Sequence, residues 1–219
     1  MDVVVVMDKT PISAIVLAAG QSRRMGAMNK LHLPVNGEAL LRRTVKTLQA
    51  SELEEIVVVL GHQSQLAHTL LEGLAVRSVY NERYLSGQMS SVHCGLAALK
   101  KKNAGIMIAL GDQPAITVEE INFLINSFRE RSTGEVVIPT FQGARGNPIV
   151  ISEQSRSDIL RGKRDLGCRK FIEKNPGLVE MVEMPSSGVI IDLDTPLDYN
   201  NYCNSDGKEE PVNPIQQVN

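Results

Sequence analysis

Tryptophan is absent from this chain, and aromatic residues make up only 4% of it. That is a thin supply of flat faces for stacking on unpaired bases, which argues against a binder of single-stranded nucleic acid. An excess of one charge is also missing: 23 Lys and Arg stand against 25 Asp and Glu, a formal net charge of −2. Nothing global draws the chain to nucleic acid or to an anionic membrane, so any polyanion must be held by a local basic site. The three cysteines, Cys94, Cys168 and Cys203, are odd in number and far apart. They offer neither a disulfide framework nor a zinc pattern and suit a reducing compartment, so a cytoplasmic location is expected. The four histidines are scattered, and the adjacent His93–Cys94 pair is not a ligand set. The apolar run Val3–Val6 is bounded by Asp2, Asp8 and Lys9. It is too short to span a bilayer and lacks the basic start of a signal peptide. It reads as an extra edge strand or a loose leader over residues 1–11. The polar segment 203–219, broken by Gly207, Pro211 and Pro214, reads as a disordered tail.

Two common phosphate loops are lacking as well. Gly20 and Gly26 have five residues between them and no Gly-Lys pair after them, so this is not a P-loop, and Gly-x-Gly-x-x-Gly does not occur. An ATPase motor and a simple NAD-binding domain are disfavoured. What stands instead after the apolar run 14–17 is a loop with two glycines, Ser22, Arg23, Arg24 and then Lys30. Glycine lets a backbone approach a ligand closely, and Arg and Lys supply the charge a polyphosphate needs.

With 219 residues and 42% hydrophobic content, the chain can build one sizeable α/β domain, expected over 12–202. β-branched runs at 14–17, 56–60, 75–79 and 106–110 alternate with amphipathic stretches at 38–50, 63–73, 89–102 and 118–131. Continuous apolar runs imply strands buried on both faces, and the alternation implies a doubly wound, mostly parallel α/β sheet. Later segments predict a small β-containing region: a strand over 136–139, a turn within 141–150, and a strand over 178–184. Helices are expected at 152–161 and 165–174, and a last helix is capped by Asp194 or Thr195 with Pro196 in its first turn. Ligands of such sheets sit beyond the carboxyl ends of the strands. Both the basic loop and Gly111-Asp112-Gln113-Pro114 leave such ends.

Asp112 directly follows an apolar strand, where a carboxylate needs a partner, and a divalent cation is one. Asp192 and Asp194 are two residues apart, so in an extended segment both face one side, where a cation would relieve their repulsion. The plainer alternative is that Asp112 caps a turn and Asp194 a helix. Gly87, Ser90 and Ser91 can present N–H groups and hydroxyls to an anion, or simply start a helix. Gly143–Pro148, carrying Arg145, reads first as a hairpin loop. Arg161–Asp165 reads as a solvated basic face, or as a grip for a phosphorylated acceptor.

The stretch Leu17-Ala18-Ala19-Gly20-x-Ser22-x-Arg24-Met25-Gly26, followed by Asn29-Lys30-Leu31, resembles the opening signature of the MobA-like nucleotidyltransferases. Among them it is most similar to the molybdenum cofactor cytidylyltransferases, and the resemblance covers about 12–202. It implies a Rossmann-like nucleotidyltransferase fold and a nucleotide pocket formed by Leu17, Ala18, Ala19, Gly20, Ser22, Arg24, Gly26, Lys30, Gly87, Ser90, Ser91 and Gly111. It further implies Arg24, Lys30 and Asp112 as catalytic groups and Mg2+, or Mn2+ in its place, held by Asp112 with Asp192 or Asp194, Asp194 being slightly preferred. Arg145, Gly146 and Asn147 would wall the acceptor site. Leu-Ala-Ala-Gly rather than Leu-Ala-Gly-Gly implies CTP, with Mo-molybdopterin as acceptor and an apo-molybdoenzyme or its maturation factor as transient partner. A cytidylyl- or guanylyltransferase acting on another phosphorylated acceptor, and a non-catalytic cofactor carrier, are the alternatives.

Overall fold

The structure is a computed structural model that describes residues 10–26, 28–101, 103–131, 134–162 and 175–205. Most of the expected leader, nearly all of the expected tail, the expected helix at 165–174, Cys168 and Lys163–Asp165 lie outside the described residues. Strand β1 (Ile12–Ala18) is buried along almost its whole length. It pairs in parallel with β4 (Ile56–Leu60) on one side and β6 (Gly105–Leu110) on the other. The registers place Leu17 opposite both Val59 and Leu110, so the carboxyl ends of the three strands reach one rim together. β5 (Arg77–Tyr80) extends the sheet in parallel beyond β4.

Beyond β6 the direction changes. β9 (Ile149–Ser152) lies antiparallel between β6 and β7 (Val136–Phe141), and β10 (Val179–Glu183) closes that edge parallel to β7. β8 (Ala144–Arg145) folds back on β7 across a two-residue turn. Among the described residues the order β10-β7-β9-β6-β1-β4-β5, with β8 attached, is the mostly parallel sheet expected from the sequence.

Helices cover both faces. α1 (Leu40–Gln49) and α4 (Val118–Glu130) bury Leu41, Val45, Leu48, Ile121, Leu124 and Phe128 on one side. The second of these starts with a capping box between Thr117 and Glu120. The short α2 (Ser64–Thr69) contributes Ala67 to the same cluster. On the other face α3 (Gln88–Ala98) packs Val92 and Leu96 against Ile15 and Val57, beside α5 (Glu153–Leu160) with Ile159. Gly95 lets α3 lie close to the sheet, because a Cβ there would stand 2.8 Å from Val59 Cγ2 and 3.0 Å from Ile15 Cβ. The expected helix at 38–50 starts late. Asn36 and Gly37, both at positive φ, turn a small hairpin between β2 (Pro34–Val35) and β3 (Glu38–Ala39) before α1 begins.

A third apolar cluster positions the site. Met25, Leu33, Val35 and Leu40 from the first third of the chain pack with Leu193, Tyr199 and Cys203 from its end. Tyr199 on α6 (Pro196–Ser205) donates its hydroxyl to the Pro34 carbonyl at 2.6 Å. This packing carries Asp192 and Asp194 across the molecule to the basic loop. No described helix is long and apolar enough to cross a membrane.

Candidate active site

The start of the basic loop is held by the residues that follow the neighbouring strands. Gly111 N–H donates to the Leu17 carbonyl at 3.1 Å, and His62 N–H donates to the Ala19 carbonyl at 3.2 Å. Ser22 adopts a left-handed backbone (φ 51°) and turns the chain into a short 3-10 segment, Arg23–Met25, whose Met25 is buried. Its hydroxyl accepts from Lys30 N–H at 3.2 Å and donates to Asn29 Oδ1 at 3.3 Å. Asn29 in turn accepts from Leu31 N–H and donates to Gln63 Oε1 at 3.1 Å. Ser22 and Asn29 therefore clasp the loop shut, and the clasp fixes where Lys30 emerges.

Lys30 is almost enclosed and ion-pairs with two carboxylates, Asp112 Oδ2 and, at 2.7 Å, Asp194 Oδ1. Burial disfavours its charge, but Asp112 and then Asp194 outweigh burial and hold its pKa above the usual lysine value. Arg24 Nη2 lies 2.8 Å from Asp194 Oδ2, but its side chain is 68% exposed. That pair is weak in water and leaves the guanidinium free to turn toward a ligand. For Asp194, partial burial pushes the pKa up, yet the Lys30 hydrogen bond and the charges of Lys30 and Arg24 bring it below the ordinary value. Asp192 is shifted upward, by desolvation first and then by the carboxylates of Asp112 and Asp194. Thr195, not Asp194, caps α6: its hydroxyl accepts from Asp198 N–H at 3.2 Å, while the Asp198 carboxylate accepts from Thr195 N–H at 2.8 Å. Asp194 is thereby left for the cleft.

Asp112 Oδ1 is buried and has no hydrogen-bond partner among the described residues. A buried carboxylate oxygen without a donor fits a divalent cation. No three described His, Cys, Asp or Glu side chains are gathered tightly enough to hold a metal alone. Mg2+ as a class takes one or two protein carboxylates and completes its shell with phosphate oxygens and water.

These groups line one cleft of about 510 Å³ with Leu17, Ala18, Ala19, Gly20, Ser22, Gly87 and Ser91. Ser90 does not join them. Adjacent helical residues diverge by about 100°, so with Ser91 facing the cleft Ser90 turns away, donating to the Arg83 and Gly87 carbonyls. Gly26 and Gly111 also lie off the cleft lining. The first is the positive-φ end of the 3-10 segment, and the second is packed beneath the rim against Leu41 and the Leu17 carbonyl. Arg145, Gly146 and Asn147 line an adjoining cavity of about 590 Å³ whose apolar lining includes Met89, Val92, Ile108 and Ile138. Gly146 and Asn147 are fixed there by N–H bonds to the Pro139 and Val189 carbonyls, at 2.8 and 2.9 Å.

The model of the MobA-like NTP transferase domain matches residues 14–179. The chain belongs to this family. Among curated relatives of this MobA-like chain, the purine catabolism protein PucB of Bacillus subtilis is 31% identical over 84% of this chain and 92% of its own length. Nicotine blue oxidoreductase of Paenarthrobacter nicotinovorans is 30% identical over 84% and 92%. The molybdenum cofactor cytidylyltransferase of Escherichia coli is 24% identical over 86% and 93%. In fold, the chain matches the crystal structure of Rv0371c from Mycobacterium tuberculosis with a TM-score of 0.78, at 24% identity over 89% of this chain and 98% of that one. Rv0371c has also been solved in complex with manganese.

Within the MobA-like cleft the structure adds residues that sequence reasoning missed. Gln88 and Leu110 border both cavities, as Leu17 does. Tyr84 and Leu85, on a 3-10 turn (Tyr84–Ser86), also line the cleft. The signal was Gly87, whose φ of 101° breaks the chain between that turn and α3. The glycine was recognised, but the residues it swings into the cleft were not.

Proposed function

We propose that this MobA-like protein transfers CMP from CTP to the phosphate of Mo-molybdopterin, yielding molybdopterin cytosine dinucleotide and pyrophosphate. The observation that carries the reading is the convergence of Arg24 and Lys30 with Asp112, Asp192 and Asp194 in one cleft, beside a second cavity edged by Arg145. An acceptor phosphate oxygen forms a bond to the α-phosphorus, the bond to the β-phosphate oxygen breaks, and pyrophosphate departs with the electron pair. The transfer needs no protein nucleophile; the protein positions and stabilises charge. Arg24 and Lys30 grip the triphosphate and stabilise the leaving group, and Arg145 orients the acceptor. Asp112, with Asp192 or Asp194, would hold Mg2+ or Mn2+, whose chemistry there is to neutralise phosphate charge. Leu17, Gln88 and Leu110 form the shared wall across which the two substrates would meet. Ala19 supports CTP over GTP, and the E. coli relative named for that activity supports the acceptor. The product would pass in the cytoplasm to an apo-molybdoenzyme or its maturation factor.

A second reading, the same transfer onto a different phosphorylated acceptor, is favoured by the cavity itself. Its polar side chains are Gln88, Arg145 and Asn147, set among apolar side chains that include Met89, Val92, Ile108 and Ile138. Pyrophosphate release from CTP and, separately, GTP, with Mg2+ and Mo-molybdopterin, tests the first reading. Release with CTP alone supports it, and preference for GTP reverses the base assignment. Absence of release while nucleotide still binds directs the search to other acceptors.

A further inference from the structure

Gly61 follows β4 and occupies a position where no side chain fits. A Cβ there would stand 2.7 Å from Ala19 Cβ, 2.7 Å from Tyr84 Cβ and 2.8 Å from the Ala19 carbonyl oxygen. Real Cβ atoms do not approach so closely, so Ala19 and Tyr84, or the Gly61 backbone itself, would have to shift. The Gly61 backbone is not in the left-handed region. A substitution there therefore acts by volume alone, without backbone strain.

The two groups that meet over Gly61 both line the nucleotide cleft and pack side by side there. Ala19 lies on the basic loop and Tyr84 on the 3-10 turn that ends at Gly87. Both are tied to the end of β4. His62 N–H holds the Ala19 carbonyl at 3.2 Å. Asn81 N–H donates to the Leu60 carbonyl at 2.9 Å, and Tyr84 N–H donates to the Asn81 carbonyl at 3.2 Å. Ala19 is only 5% exposed, and its methyl group is in reach of the Gly61 position. Leu85, the next residue of the turn, is 66% exposed at the mouth of the cleft.

We infer that Gly61 is a positioning residue for base selection: the Ala19–Gly61–Tyr84 contact sets the spacing between the basic loop and the Tyr84 turn. The inference rests on the nucleotide-binding reading above and deepens it. It also relocates the effect of Ala19. The methyl group acts on the base through the Tyr84 turn behind which it packs, so positions 19 and 61 share one volume. Overfilling that volume spreads the loop from the turn, and underfilling it lets the turn shift. Either change lowers the fit to a small pyrimidine relative to a purine.

The test is calorimetric binding of CTP, GTP and inorganic tripolyphosphate, each with Mg2+, to the wild-type chain and to Gly61→Ala, Ala19→Gly and the double variant. A single methyl group in a pocket is worth about tenfold or more in discrimination. Gly61→Ala should lower the CTP:GTP affinity ratio by about tenfold, with tripolyphosphate unchanged within twofold. Ala19→Gly, which crowds nothing and so guards against a misfolded Gly61 variant, should lower the ratio in the same direction. The double variant, with one methyl group restored to the shared volume, should recover most of the CTP affinity. A ratio unchanged in a folded Gly61→Ala variant, or in Ala19→Gly if the former does not fold, overturns the inference. So does an equal loss for all three ligands, which would mark a general disturbance of the phosphate grip. Wild-type protein that binds neither nucleotide overturns the proposed function and this inference together. Wild-type binding with an unmoved ratio overturns only the role of Gly61.

Discussion

Lys30 Nζ stands 2.7 Å from Asp194 Oδ1, a contact between residues 164 positions apart. The same ammonium also pairs with Asp112. The groups proposed to take the triphosphate and those proposed to take the cation therefore neutralise each other before either ligand arrives. Nucleotide and divalent cation should bind as one complex. CTP titrated without divalent cation should bind at least about tenfold more weakly than with Mg2+, a coupling of about 1.4 kcal/mol. Calorimetry with and without chelator reads this directly, and equal affinities would remove the coupling.

Removing one member of this cluster exposes its electrostatic role. Lys30→Met leaves two carboxylates facing each other in a largely enclosed site and should cost about 3 kcal/mol of stability near neutral pH. Adding Asp112→Asn should return much of that loss in urea unfolding. Turnover should fall by about 10²–10³ in Lys30→Ala and in Asp112→Ala, as expected for one preorganised electrostatic group. Near-normal turnover in a folded variant would contradict the assignment.

Arg145 should separate the two cavities. It edges the cavity proposed for the acceptor and does not line the cleft proposed for the nucleotide. Arg145→Ala is expected to raise the KM for the acceptor about tenfold or more, through loss of a charge-assisted contact, while CTP affinity stays within twofold. A parallel loss of CTP affinity would place Arg145 on the nucleotide instead.

Thr195 links helix capping to the acidic cluster. Thr195→Ala removes the hydroxyl that accepts from Asp198 N–H and should cost about 1 kcal/mol. Because Asp194 immediately precedes the cap, the variant should also weaken CTP–Mg2+ binding. Conservative replacement by Ser should restore both quantities, whereas a purely global effect would leave binding per folded molecule unchanged.

Glu55 ties the edge of the sheet together. It accepts from Arg77 Nη2 at 2.7 Å and from the N–H groups of Lys100 and Lys101. Burial pushes its pKa up, but these bonds outweigh it and hold the folded-state value below the model-peptide 4.5. The unfolded chain thus takes up the proton first as pH falls. The stabilisation is complete above about pH 4.5 and is lost as pH drops through the folded-state value. Glu55→Gln should cost about 1 kcal/mol at pH 7 and progressively less below pH 4.5. A difference from wild type that does not change with pH would exclude this role.

The central strands were legible in the sequence because β1, β4 and β6 are buried on both faces and therefore written in unbroken apolar runs. The basic loop and the acidic pair were legible because charged groups next to such runs demand partners. Less visible was what depends on tertiary volume. Asn36-Gly37 is a hairpin signal, but the hairpin is so short that the periodicity of α1 masked it. Ser90 and Ser91 look equivalent in sequence, and only the rotation of α3 decides which one lines the cleft. Tyr84 and Leu85 carry no motif and reach the cleft because Gly87 bends the chain. The choice between Asp194 and Thr195 as cap turned on a reciprocal bond with Asp198, two side chains whose orientation spacing alone does not fix.

The reversal of β9 has a consequence for how such a protein can change over time. The proposed phosphate grip hangs on the parallel half of the sheet, on the ends of β1, β4 and β6. The neighbouring cavity is edged by the β7–β9 hairpin, a continuous stretch of chain inserted where strand direction flips. Lengthening, shortening or recolouring that hairpin would reshape the second cavity without disturbing the residues proposed to hold the donor. A lineage built this way can keep a single chemical step and diversify its clients.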